Sequence, residues 1–330
     1  MESLAALLEA PPGVAWVLTA VAVMLLAATV FRGVRMLVRP GPGARRGWRS
    51  LGTWWILYLL LLLVLALGPV YLALLMLALS LSMLREALKV VSREALFLPA
   101  GLLVLGLFLW VWVDWASVLL GAFPAVLSIL VLWELVARAR GMPGKWQKTR
   151  WTVLALLLPI AGPLYVTGLL SLPTSGVPAA SWQGLVVGLL LLTELNDMAQ
   201  AWVGRPLGKH AMAPRISPGK SWEGFLGGLG VTVLAGYLLL PYLTAPGPDH
   251  APLGEGFLAG PRAWALLVAA LLALSGVAGD LSASLLKRKG GVKDAGQALP
   301  AQGGFLDRFD SLSLAAPVYL FVTYLLGGQP

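Results

Sequence analysis

The sequence predicts an all-α integral membrane protein, a polytopic helical bundle of about ten transmembrane helices (nine to ten), and three observations predict it. Of 330 residues, 58% are hydrophobic and only 12% charged, roughly half the charged share of an average soluble domain. The apolar residues run in continuous stretches close to the roughly 20 that about 30 Å of hydrocarbon requires, rather than in amphipathic periods. Lys and Arg collect in alternate loops, as they do in short loops retained in the cytoplasm.

The first stretch, 13–32, follows Glu2 and Glu9 and precedes arginines. That order is the reverse of a secretory leader and reads as a retained helix entering from outside. The second and third, 53–67 and 69–85, are separated only by Gly68 and Pro69. A hairpin and one long kinked helix are both compatible with that pair, since Gly and Pro are tolerated in membrane helices. The hairpin is expected, because 33 residues overshoot one crossing and a single crossing would break the alternation of charged loops. The fourth and fifth, 97–112 and 117–137, meet around Trp110, Trp112 and Trp115, an interfacial aromatic belt. The sixth is 151–170. The seventh, 181–200, carries Glu194, Asn196 and Asp197; the eighth, 223–243, opens on Glu223; the ninth, 263–286, encloses Asp280 and Ser284. The tenth, 311–327, begins after Asp307 and Asp310.

The loops confirm the order. Segment 32–52 holds Arg32, Arg35, Arg39, Arg45, Arg46 and Arg49, and 85–93 holds Arg85, Lys89 and Arg93. Segment 138–150 holds Arg138, Arg140, Lys145, Lys148 and Arg150, and 204–222 holds Arg205, Lys209, Arg215 and Lys220. With Lys287, Arg288, Lys289, Lys293 and Arg308, 23 of the 24 cations fall on one side and only Arg262 on the other. The expected topology is multi-pass in the cell (inner) membrane, both termini outside and the basic loops cytoplasmic. The net charge of +9 is therefore a topology signal that also favours anionic headgroups. No basic patch or stripe of the nucleic-acid type is present, so no nucleic-acid partner is expected. The absence of cysteine excludes disulfides and thiolate metal ligands.

The two halves differ in texture. Residues 1–180 form Leu-rich spans with polar residues in the loops, a transmembrane scaffold; residues 181–330 press polar residues into the spans and form the catalytic region. No repeat relates them, which argues against an inverted-repeat transporter.

The chemistry concentrates in 279–310, which holds four aspartates and five Lys or Arg. Charges cost about 2.5 to 3.5 kcal/mol each at a membrane-helix centre, so such a cluster reads as a site. Asp280, Ser284 and Lys287 stand at i, i+4 and i+7 and share a helical face. Asp307 and Asp310 form a second pair at i and i+3. Carboxylates in this number suit a hard cation such as Mg²⁺, held together with substrate phosphates. Between them, KRKGGVKDAGQALPAQGG is glycine-rich and basic, a composition that lets backbone N–H groups and Lys293 and Arg308 meet an anion. In 204–224, Arg215, Ser217 and Lys220 flank a Pro-Gly turn before a helix, a second phosphate-binding candidate. Any one loop cation has a topological explanation, and Asp307 alone has one as a helix cap. A carboxylate inside a span has few.

The segment SASLLKRKGGVKDAGQALPAQGGFLDRFD closely resembles the signature of the phosphatidate cytidylyltransferases, the CDP-diacylglycerol synthases. LGKHAMAPRISPGKSWEGFLGG and ELNDMAQAWVG resemble two further segments of that family, and together the likeness covers about 190–327. It implies that Asp280, Asp307 and Asp310 bind metal in a dinuclear centre, Mg²⁺ with K⁺ as candidate second ion. Catalysis would fall to these three with Lys220, Lys293 and Arg308. Substrate binding would fall to Asp197, Arg215, Ser217, Ser284, Lys287, Arg288, Asp294, Gln302, Gly303 and Gly304. The implied partners are CTP, phosphatidate or a related lipid phosphate, the lipid bilayer and a second copy of the chain in a homodimer.

Departures mark a diverged paralogue. Pro300-Ala301-Gln302-Gly303-Gly304 stands where Pro-Gly-His-Gly-Gly is usual, so a typical histidine is Gln302; Asn196 stands where Ala is usual, and Gly219 where Lys is common. The implied reaction joins CTP and phosphatidate to give CDP-diacylglycerol and pyrophosphate. Rival readings are a CTP-dependent enzyme on another lipid, an ether-lipid phosphate cytidylyltransferase or a polyprenol kinase, and a non-catalytic transporter or scaffold.

Overall fold

The computed structural model describes residues 12–38, 41–116, 143–172, 181–244 and 260–326. Its elements are α1 (Pro12–Val38), α2 (Pro42–Leu67), α3 (Pro69–Val90), α4 (Phe97–Ala116), α5 (Pro143–Leu169), α6 (Trp182–Leu207), β1 (Ala211–Ala213), β2 (Ser217–Ser221), α7 (Trp222–Thr244), α8 (Gly260–Lys289), α9 (Phe305–Phe309) and α10 (Leu312–Leu326). Among the described residues seven helices are long and apolar enough to cross a membrane, and the chain is a polytopic all-α membrane protein. α6 is a continuous helix whose apolar run is broken by Glu194, Asn196 and Asp197, and α10 is shorter. The span expected at 117–137, with Arg138 and Arg140 beyond it, lies outside the described residues.

Several helices outrun the apolar stretches that announced them. α2 starts at Pro42 rather than 53 and carries Arg45, Arg46 and Arg49 in its first turns, while α8 runs through Lys289. Hydropathy marks the hydrocarbon-facing part of a helix, whereas the helix itself continues until its backbone is capped or broken.

The 53–85 stretch is a hairpin. Gly68, at φ 105°, occupies a conformation that a side chain disfavours and lets α2 end and α3 begin with Pro69. Ser50, at the start of α2, meets Gln302, and Val90, at the end of α3, meets Gly290. Leu65, beside the turn, packs instead with Val14, Leu18, Val187 and Leu243. The chain therefore travels from one end of the bundle to the other and back.

The same contacts gather the basic segments at one end. Arg32 donates to the Gly47 carbonyl, Arg288 to the Ile216 carbonyl at 3.1 Å, and Lys289 lies 6.0 Å from the Trp151 ring centre. Arg262, the exception in the sequence, stacks on Tyr237, 5.4 Å from its ring centre. A large exposed apolar surface, including Leu59, Leu63, Leu98, Leu102, Leu109, Leu234 and Leu238, faces outward where lipid tails would be.

Inside a bilayer apolar burial drives little association, so close van der Waals packing through small residues must supply it. α6 and α7 meet where a Cβ on Gly224 would stand 2.8 Å from the Gln200 carbonyl. The sole carbonyl freed by Pro163 belongs to Pro159, and Ser80 on α3 donates to it at 3.0 Å. Asn196, buried at the centre, donates to the Ala273 carbonyl of α8 and accepts from Thr232 of α7, each at 3.4 Å. That pair of bonds explains an asparagine where the resemblance leads one to expect alanine: it ties three helices together.

Candidate active site

The site is built at the basic end, where α6, β2, α8 and the α9–α10 turn converge. A Cβ on Gly279 would lie 2.6 Å from the Asp310 carbonyl oxygen, so the missing side chain is what lets α8 press against that turn. Asp280 follows directly. Its Oδ1 accepts from Ser284 at 3.1 Å, one helical turn along the same face, and its Oδ2 pairs with Lys220 of β2 at 2.7 Å.

Two turns from Asp280, Lys287 is 8% exposed. It donates to Asp307 Oδ1 at 2.8 Å and lies 3.7 Å from Asp310 Oδ2. The other Asp307 oxygen accepts the N–H groups of Ala295 at 2.8 Å, Gly296 at 3.4 Å and Gly304 at 2.9 Å. Asp307 thus cinches the glycine-rich loop onto α9. Asp310 is buried, and its Oδ1 accepts from the Ser311 N–H at 2.8 Å. Burial and the neighbouring Asp280 carboxylate push the Asp310 carboxyl well above the usual range, with Lys287 opposing them.

Asp197, on α6, accepts from Ser311 Oγ at 2.8 Å and stands within electrostatic reach of Lys220, Asp280 and Arg308. Arg308 pairs with Glu194 and lies over Trp54 of α2, 4.2 Å from the ring centre. A small cavity opens between these groups, lined by Thr193, Glu194, Asp197, Arg308 and Ser311. The structure therefore brings Asp197, Lys220, Asp280, Ser284, Lys287, Asp307, Arg308 and Asp310 into one network.

Other residues singled out in the sequence lie around its edge. Arg288 ties the end of α8 to the 214–217 turn, where β1 pairs with β2 and Arg215 is exposed. Lys293 and Asp294 are exposed on the loop and, among the described residues, make no side-chain contact with the carboxylates. Gly303 adopts φ 91° and passes so close to Asp307 that a Cβ would lie 2.8 Å from its Oδ2. Gln302, in the usual histidine's place, donates to the carbonyl and hydroxyl of Ser50 at 3.2 and 3.3 Å. It binds the loop to α2, as does Thr53, which donates to the Pro300 carbonyl at 3.0 Å. Glu223 does not join the carboxylates; it holds His210 at 2.6 Å and the Lys209 N–H at 3.1 Å.

The sequence reading missed Ser50, Thr53, Trp54 and Glu86. Glu86, on α3, accepts the N–H groups of Phe305 and Leu306. Its one signal in the sequence was an acidic side chain within a basic loop, which charge counting passes over.

Among the described residues no three His, Asp or Glu side chains stand in metal-ligating geometry. The donors are nevertheless of the right kind. Asp197, Asp280 and Asp310 are oxygen-only ligands close enough to repel one another, with Lys220 and Lys287 as counter-charges. That chemistry fits a hard divalent cation.

The sequence matches the profile of the "Cytidylyltransferase family" over residues 48–326. It is 40% identical over 153 residues to "Uncharacterized protein YnbB" of Escherichia coli, 46% of each chain. It is 34% identical over 164 residues to the "Phosphatidate cytidylyltransferase" of Haemophilus influenzae, 49% of this chain and 54% of that one. It is 33% identical over 212 residues to the protein of that same name from Pseudomonas aeruginosa, 62% of this chain and 72% of that one. The chain thus spans about half the length of the first two relatives and nearly three quarters of the third.

Proposed function

Because the chain belongs to the cytidylyltransferase family, we propose that it transfers the cytidylyl group of CTP to the phosphate of phosphatidate, forming CDP-diacylglycerol and releasing pyrophosphate. The observation that carries this reading is the interleaving of Asp197, Asp280, Asp307 and Asp310 with Lys220, Lys287 and Arg308 at one end of a membrane bundle. Such a set accommodates a polyanionic nucleotide beside a lipid whose tails stay in the hydrocarbon.

Asp280 and Asp310, with Asp307 as the third ligand that the resemblance implies and Asp197 beside them, would hold Mg²⁺, with K⁺ as candidate partner in a dinuclear centre. When bound, the cation would neutralise the nucleotide phosphates and polarise the α-phosphorus. The residues account for the rest. A phosphate oxygen of the lipid is already anionic, so it forms the new P–O bond to the α-phosphorus while the bond to pyrophosphate breaks, without a general base. The replacement of histidine by Gln302 is compatible with that economy. Lys220 and Lys287, each already held beside a carboxylate, supply fixed positive charge where negative charge builds up. Arg308, oriented by Glu194 and Trp54, faces the cavity and would bind the departing pyrophosphate. Lys293, on the exposed loop, would meet the nucleotide as it arrives. The proposal retains residues 181–330 as catalytic region and 1–180 as scaffold, the basic end in the cytoplasm at the cell (inner) membrane, and a homodimer.

The test uses detergent-solubilised protein with phosphatidate, Mg²⁺ and CTP labelled at either the α- or the γ-phosphorus. The expected result is α-label on the lipid and one pyrophosphate released per product. Lipid carrying γ-label, or no turnover of CTP, overturns the reading.

A further inference from the structure

α9 is five residues long, yet Asp307, Arg308 and the adjoining Asp310 all depend on its direction. A single helical turn is unstable by itself, and its leading N–H groups need acceptors from elsewhere. The N-cap position is Gly304, which has no side-chain oxygen to offer. Asp307 takes the N–H of Gly304. The next two donors reach across the bundle to Glu86 of α3: Phe305 donates to Oε1 at 3.1 Å and Leu306 to Oε2 at 2.8 Å.

The fit is tight on its other faces as well. A Cβ on Gly296 would lie 2.5 Å from Glu86 Oε1, and one on Gly304 would overlap the same carboxylate. One turn along α3, the Val90 carbonyl packs against Gly290, so this helix grips the loop at both its entry and its exit. Among the described residues Glu86 has no Lys or Arg in salt-bridge contact; each of its oxygens accepts a backbone N–H of α9.

We propose that Glu86 is a positioning residue, which fixes the first turn of α9 and thereby aims Asp307, Arg308 and Asp310 into the active site. The proposal rests on reading that site as the cytidylyl-transfer centre. It places a determinant of the reaction in the half of the chain whose sequence reads as scaffold.

Two variants test it, Glu86→Ala, which removes both acceptors, and Glu86→Gln, which keeps the shape and one acceptor oxygen. In ligand-free full-length protein, hydrogen exchange in a peptide covering 305–309 is expected to be fastest in the Ala variant and intermediate in the Gln variant. With labelled CTP, kcat is expected to fall on the order of 100-fold for Ala, as for a misplaced catalytic group, and less for Gln, with KM for CTP little changed. A purely structural role predicts a different split, in which yield and Tm drop while kcat per folded molecule stays at the wild-type value. Wild-type kcat in the Ala variant, or unaltered exchange at 305–309, overturns the proposal. If the Ala variant does not fold, the Gln variant decides by the same two measurements. If wild-type protein turns over no CTP, the functional reading falls alone, and the exchange difference still decides whether Glu86 holds α9.

Discussion

Asp310, proposed above as a metal ligand, is the residue at which function and fold are expected to compete. Its raised pKa means that the ionised form is disfavoured in the folded, ligand-free protein. The sign follows directly: the penalty sets in as pH rises above the ordinary carboxylate range, where the unfolded chain ionises, grows up to the raised pKa, and is relieved again as pH falls. Asp310→Asn is therefore expected to raise the Tm of the ligand-free protein at neutral pH while abolishing CTP-dependent product. A lowered Tm would contradict that sign. Backbone conformation supplies a second pair of expectations. Ala301 sits at φ 64° and Gly303 at φ 91°, a region that costs an ordinary residue roughly 1 to 2 kcal/mol. Ala301→Gly removes that strain and should leave Tm equal or slightly higher. Gly303→Ala adds strain and drives a Cβ to 2.8 Å from Asp307 Oδ2, so both Tm and turnover should fall.

Between elements, distance of approach matters more than hydrophobicity. α8 carries two glycines one turn apart with different surroundings. A Cβ on Gly276 would meet the Asn196 amide nitrogen at 3.6 Å, an ordinary contact, whereas one on Gly279 would stand 2.6 Å from the Asp310 carbonyl oxygen. Gly276→Ala is expected to retain near-wild-type turnover. Gly279→Ala must push α8 away from the α9–α10 turn, a cost of about 1 to 3 kcal/mol that separates Asp280 from Asp310. Its turnover should drop well below that of the Gly276 variant, and equal losses in both would show that the close approach is unimportant. The elements of the first half also take part. α2 contributes Ser50, Thr53 and Trp54, and α3 contributes Glu86, to contacts with the glycine-rich loop and α9. None of these was legible as a site residue, because a lone polar side chain near the end of an apolar helix looks the same whether it faces headgroups or a segment 219 to 252 residues distant.

At the scale of the whole molecule, the basic segments described in the structure meet at one end, and the topology argument becomes testable. The chain has no cysteine, so single cysteines report cleanly. Lys293→Cys in intact cells should resist a membrane-impermeant thiol reagent and react after permeabilisation, while Arg262→Cys should react from outside in both cases. The opposite pattern would invert the orientation. Hydropathy and charge decided most of this without coordinates: the membrane class, the position of the described spans, the hairpin at Gly68 and the gathering of the described basic segments at one end. The spaced aspartates, lysines and glycines likewise announced the family and the segment proposed to carry its chemistry. These properties are legible because transfer free energies add residue by residue along the chain and because a signature is a matter of local spacing. Only the tertiary structure decided how the carboxylates are partnered: Asp280 with Lys220, Asp307 with Lys287 and three backbone amides, and Glu86 with the first turn of α9. Those pairings depend on helices crossing at close range from remote parts of the sequence, and no property that is summed along the chain contains them.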